Sequence, residues 1–129
     1  MVKPMVKIEV ESMKEAVAFF QEENIKYQDA TDKAVFQSAL AVETEVKRSI
    51  AGQSEEDPSV DTGRFLNSVW TQHTEKYVAI VQPGVDYAQY LEEGHRSFAG
   101  RHHFKNSLER MRDKIPSEFN AEFEMVKYQ

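Results

Sequence analysis

Apolar and polar positions alternate in "MVKIEV", residues 5–10, with Val6, Ile8 and Val10 on one side and Lys7, Glu9 and Glu11 on the other. A period of two predicts a half-buried strand. Ser12 then stands as a helix cap with Glu15 three places on, a capping box, and Met13, Val17 and Phe20 mark the inner face of a helix ending near Asn24. The longest helical pattern runs from Asp29 to Ile50. Val35, Ala39, Val42, Val46 and Ile50 recur three or four residues apart, with Phe36 and Leu40 beside the stripe. Gly52 closes it as a C-cap glycine.

"GQSEEDPS", residues 52–59, reads as an exposed, mobile polar loop. "SVWTQH" and "YVAIVQ" read as two strands joined by the short link "TEK", an antiparallel hairpin, and Pro83-Gly84 stops the second strand. "DYAQYLEEG", residues 86–94, predicts a short helix in which Tyr87, Tyr90 and Leu91 cluster as packing for the hairpin and Gly94 ends the turn. "HRSFAGRHH" reads as a second loop. A last helix starts near Phe104 with Leu108, Met111 and Ile115 on one side. Pro116 interrupts it, and Phe119 and Phe123 extend the apolar face. The order predicts a single α+β domain over residues 1–129. Its antiparallel sheet, with a central hairpin, packs against a long helix in the N-terminal half and a C-terminal helix.

Charge divides this chain unevenly. Residues 1–94 carry 17 acids against 9 bases, whereas residues 95–114 carry 6 bases against 2 acids, within a net charge of −6. A basic block in an acidic protein reads either as a solvated helix face or as complementarity between copies, the acidic face of one meeting the basic face of the next. The net charge disfavours nucleic acid or an anionic membrane as the main partner. No apolar run approaches the roughly 20 residues that cross a bilayer. With no cysteine in the chain, disulfides and thiolate chemistry are excluded, in keeping with a reducing cytoplasm.

Catalytic motifs are scarce. Glu92, His95, His102 and His103 suggest a histidine–carboxylate metal site, but His102 and His103 are adjacent and their side chains diverge on any regular element. There is no GxSxG elbow, phosphate loop or HExxH pair. The acidic pairs Glu22-Glu23, Glu55-Glu56 and Glu92-Glu93 read as solvated surface. His73 reads as a structural or exposed residue at the hairpin end. The sequence therefore predicts neither a catalytic centre nor a bound cofactor or metal, with a small metal-dependent hydrolase as the rival reading.

The stretch "DPSVDTGRFLNSVW", residues 57–70, is arranged as a corner. Asp61 and Thr62 are short-chain acceptors for the free N–H groups of a new helix, and Gly63 permits a tight turn. Phe65, Leu66 and Val69 supply apolar anchors, and Arg64 remains outside for pairing, with Glu92 as the expected partner.

"VDTGRFLNSV", "GVDYAQYLEEG" and "FKNSLERM" together resemble the tail-completion, or head–tail joining, proteins of long-tailed bacteriophages. Val60, Asp61, Thr62, Gly63, Arg64, Ser68, Gly84, Tyr87, Ala88, Tyr90, Glu92, Gly94 and Phe104 match the pattern in order across roughly residues 30–115. Phe65 stands where leucine is usual and His95 where threonine is common, and "GRHHFKNSL" lacks the usual proline-flanked helix start. The resemblance implies a structural virion protein of a phage or prophage, made in the host cytoplasm and built into the neck. There it would form a ring, expected to be hexameric, between the head connector or adaptor and the tail tube or tail terminator. DNA would be only a passenger through the ring. A tail-terminator or tail-tube-associated subunit is the nearest alternative. On this reading the core is a wedge, while loops 52–60 and 95–103 contact neighbours or order on docking. Arg96, Arg101, His102, His103 and Lys105 are the candidate interface residues.

Overall fold

The computed structural model describes residues 5–9, 25–59 and 63–127. The expected helix from Ser12 to Asn24, and Val60, Asp61 and Thr62 of the corner, lie outside the described residues.

Strand β1 (Val6–Glu9) pairs antiparallel with β3 (Val78–Gln82), which pairs antiparallel with β2 (Trp70–Glu75) on its other side. The sheet order is thus β1-β3-β2. The alternation read at the N-terminus is met: Val6 and Ile8 are buried and Lys7 is exposed. Central strand β3, hydrogen-bonded along both edges, buries Val78, Ala79, Ile80 and Val81, whereas most of β2 faces solvent. The link between β2 and β3 is Lys76-Tyr77, which begins two residues later and ends one residue later than the expected "TEK". Asp32 braces this turn, since its Oδ1 accepts from the Tyr77 amide at 2.7 Å and lies 2.7 Å from His73 Nε2.

Helix α1 (Ile25–Ile50) lies across the sheet and starts four residues before the first residue of the periodic pattern. Its expected stripe is the core: Val35, Ala39, Val42, Val46 and Ile50 are all fully buried. The helix ends in a Schellman arrangement, with Gln53 N–H donating to Arg48 C=O at 2.8 Å and Gly52 N–H to Ser49 C=O at 3.1 Å. A second buried stripe, Thr31, Ala34, Ser38, Glu45 and Ser49, was not read from the sequence. Its residues are small or polar, which lets another layer approach closely. That layer is α4 (His103–Met111), a 3-10 turn (Arg112–Lys114) and α5 (Ile115–Lys127).

The interruption expected at Pro116 is therefore present, as a tight turn just before it. Tyr27 meets Phe123 edge-on at 5.8 Å between ring centroids, fixing the far end of α5 to α1. The α+β class, with the sheet on one side of a long helix and the C-terminal helices on the other, is the observed architecture.

Two short elements complete the chain, α2 (Arg64–Ser68) and α3 (Ala88–Glu93). The segment expected as a loop after Gly94 is instead a small hairpin, β4 (Gly94–His95) with β5 (Phe98–Ala99). Among the described residues, no helix is long and apolar enough to cross a membrane.

Candidate functional site

Two arrangements stand out, a corner made from the resembling segments and a polar slot beneath the 52–59 loop. The corner comes first. Gly63 precedes α2, and Ser68 Oγ closes that short helix by donating to Phe65 C=O at 2.7 Å. Gly84 passes against the Ser68 main chain, so that a Cβ there would sit 3.1 Å from the Ser68 carbonyl oxygen. Phe65 is buried with its ring 6.4 Å from Tyr87, 6.4 Å from Phe104 and 6.1 Å from His103. Residues separated by up to 39 positions in sequence thus meet around one phenyl ring.

The buried carboxylate of Glu92 caps α4. Its Oε1 accepts from Phe104 N–H at 3.0 Å and its Oε2 from Lys105 N–H at 2.9 Å. Those amides are two of the four that a helix start leaves without internal partners, and an anion is favoured there. Glu92 therefore ties α3 to the C-terminal layer through these two amides. Arg64 itself is exposed.

Tyr90 does not pack as core, and Tyr87 meets it only with an edge-on ring contact to Phe65. Tyr87 and Tyr90 are 40% and 55% exposed, and Trp70 at the start of β2 is 43% exposed. Tyr90 lies over His95, 4.8 Å between ring centres. The apolar contact expected of these tyrosines is made by Ala88, which is buried, and by Leu91, which packs at the edge of the core. Alanine at position 88 suits a close approach, and the larger rings are left outside.

The hairpin from Gly94 to Ala99 is tightly closed. A Cβ on Gly94 would lie 2.6 Å from Phe98 O, and one on Gly100 would overlap Glu92 O. Arg101 N–H donates to Leu91 C=O at 2.7 Å and His102 N–H to Glu92 C=O at 3.1 Å. The segment expected to order on docking already has this framework. Its tip presents exposed Arg96, Lys105 is exposed on α4, and Arg101 and His102 are half-buried. His103 is fully buried and is removed from the candidate interface.

The slot lies between α1, α4 and the loop. His103 Nδ1 is 2.7 Å from Ser49 Oγ and its Nε2 is 2.8 Å from Ser59 Oγ. Ser49 Oγ donates to Glu56 Oε1, so it accepts from His103 Nδ1–H, and Nε2 is left to accept from Ser59. Burial lowers the His103 pKa to about 4; the Glu56 charge opposes that, while Arg101 and Arg110 add to it. The imidazole is neutral at pH 7.

Glu56 has a side chain only 6% exposed. Arg110 grips it with a two-pronged fork, Nη2 to Oε1 at 2.7 Å and Nη1 to Oε2 at 2.8 Å, and Asn106 Nδ2 adds a bond at 3.0 Å. Burial alone would raise the Glu56 pKa. Hydrogen bonds from Arg110, Ser49 and Asn106, with the Arg110 charge, outweigh it and hold the value at about 2.

Arg110 also reaches Glu45 through Nε at 2.9 Å, and Ser54 donates to the same Glu45 oxygen at 2.8 Å. Burial works against ionisation of Glu45, but the bonds from Ser54 and Arg110 prevail and lower its pKa. The loop read as mobile and solvated is thus pinned at Ser54, Glu56 and Ser59. Glu56 and His103, which the sequence placed at the surface, are drawn inside beside half-buried Arg110. The available signal was the pair Glu45 and Ser49, four residues apart on the small-residue face of α1.

An open groove of about 370 Å³ adjoins the slot, lined by Glu55, Glu56, Asp57 and Asn106 on one side and by Ala99 to His102 on the other. The two loops expected to meet neighbours are its walls. Among the described residues, no three histidine or acidic side chains are gathered so as to hold a metal ion. His95 lies against Tyr90, His103 is held by serines and Glu92 by amides, so three of the four residues of the hydrolase reading are engaged separately. Comparison with protein-family models, with curated proteins and with solved structures gives no match.

Proposed function

We propose that this chain is a structural protein of a tailed bacteriophage or prophage that joins the head connector to the tail, acting as one subunit of a ring at the neck. The observation that carries the reading is the convergence of the resembling segments. Residues 63–68, 84–94 and 104 fold on one another around Phe65, and each matched residue among them that is buried has a positional task. A set of residues that builds a rigid corner and leaves Trp70, Tyr87 and Tyr90 outside suits an assembly component, because exposed aromatic side chains are favoured in protein–protein contacts. The basic hairpin tip at Arg96 and the acidic groove wall at Glu55 and Asp57 supply opposite charges for contacts between copies.

The test is genetic. Removal of the gene from its phage is expected to yield filled heads and complete tails lying apart in electron micrographs of the lysate. Joined particles with tails of irregular length would transfer the role to a tail terminator. Normal infectious particles would end the proposal.

A further inference from the structure

We infer that the slot under the 52–59 loop is a carboxylate-binding site which the chain fills with its own Glu56, and which accepts an acidic peptide segment of a partner in its place. This inference goes beyond the neck assignment and does not depend on it.

Four donors from two helices converge on one carboxylate: Ser49 Oγ from α1, and Asn106 Nδ2, Arg110 Nη1 and Arg110 Nη2 from α4. A planar fork with two flanking donors is the arrangement that recognises a carboxylate in both position and orientation. His103 behind Ser49 fixes the direction of the serine hydroxyl, and Glu45 fixes the guanidinium from its other edge. The site is thus built by the rigid layer, whereas its occupant arrives on a loop.

That loop has little else to hold it. Gln53, Glu55, Asp57 and Pro58 are exposed, and no residue from 53 to 59 is buried as a whole. Its remaining ties are polar: Gln53 to Arg48 through both its N–H and its C=O, Ser54 to Glu45, Glu55 to Arg110 at 3.4 Å, and Ser59 to His103 and to Ile50 C=O. Polar ties of this kind exchange readily for water or for equivalent groups.

A route to the slot exists, since Glu56 and Asn106 line the adjoining groove. The opposite wall holds an unmet donor: among the described residues, Arg101 Nε is buried without a hydrogen-bond partner, its guanidinium stacked 4.8 Å from the Phe98 ring centre. An incoming segment with two acidic side chains would place one on Arg110 and the other on Arg101. The chain's own Glu55-Glu56 has the composition that fits, which makes a peptide of residues 52–59 the natural probe.

The experiment uses the full chain with Glu56→Ala, which empties the slot and keeps its donors. Sodium acetate, and separately the peptide GQSEEDPS, are titrated while melting temperature is followed, with chloride matched for ionic strength. The expected result is a saturable rise of roughly 3–6 °C in the variant and none in the unaltered protein. Equal responses in the two proteins would overturn the inference. Should Glu56→Ala fail to fold, hydrogen exchange on the unaltered protein reads the same competition. Acetate is expected to speed exchange at the hydrogen-bonded Ser59 amide while leaving α1 unchanged, and no acceleration would count as refutation.

Discussion

The two faces of α1 rest on different physics. Toward the sheet, Val35, Ala39, Val42, Val46 and Ile50 pack against Val6, Ile8, Ala79 and Val81. Toward the C-terminal layer, Glu45 and Ser49 join Arg110, Glu56 and His103 in a connected polar network. Burial of apolar area is additive and forgiving, because any side chain of suitable volume serves. The network instead depends on every partner, since removal of one leaves the others buried without their match. One helix therefore carries a face that tolerates substitution and a face that does not.

Replacing one network member separates the two. Arg110→Met strands the carboxylates of Glu45 and Glu56, and the expected loss is about 3 kcal/mol in urea unfolding, below the fully buried limit because the arginine side chain is 22% exposed. Adding Glu56→Met to it should restore part of that loss, and a double variant whose loss equals the sum of the two singles would show that the network is not coupled. On the apolar face, Ile50→Ala should cost about 2–4 kcal/mol, while Ile50→Val costs about 1 kcal/mol, a graded response to volume.

The third test is acidity. His103 is neutral when folded, with a pKa near 4, so the unfolded chain takes up a proton first as pH falls below the ordinary histidine value. Stability from this residue is complete above pH 6.5 and declines toward pH 4, by about 2 kcal/mol at pH 4.5. Glu56 acts in the same direction at lower pH. Its folded pKa near 2 gives stability that is present above the unfolded value of 4.5 and is lost below it. Denaturant titrations between pH 7.5 and 4.5 check the first part, and His103→Asn should flatten that slope.

The smallest expected effect belongs to the surface. Tyr90→Ala should change stability by less than about 0.5 kcal/mol, because the ring is 55% exposed and touches mainly His95. A drop of several degrees in melting temperature would return Tyr90 to the core.

These contrasts follow what the sequence makes readable. The stripe on α1 was legible because apolar residues at helical spacing have few uses besides burial. Val6 and Ile8 were legible for the same reason at strand spacing. The slot was hidden because "GQSEEDPS" has the same composition whether it is solvated or pinned. What decides is Arg110, more than 50 residues away in sequence, and only the packing of α4 on α1 brings the two together. Tyr87 and Tyr90 misled in the opposite way, since helical spacing gave them a common face without saying which way that face looked. Alanine at position 88 takes the interior. The match between segments 60–68 and 84–94 was visible as a list of residues, but the meeting of residues 63–68 with 84–94 around Phe65 required the folded chain.

The crossing of Gly94 and Gly100 has a practical side. Because neither position has room for a side chain, the base of that hairpin cannot slide or widen, and whatever is grafted at its apex keeps a fixed bearing relative to the rest of the molecule. Arg96 and Ser97 at the apex are both open to solvent, so a fluorophore or crosslinker attached there would survey whatever approaches from that side, without disturbing the interior.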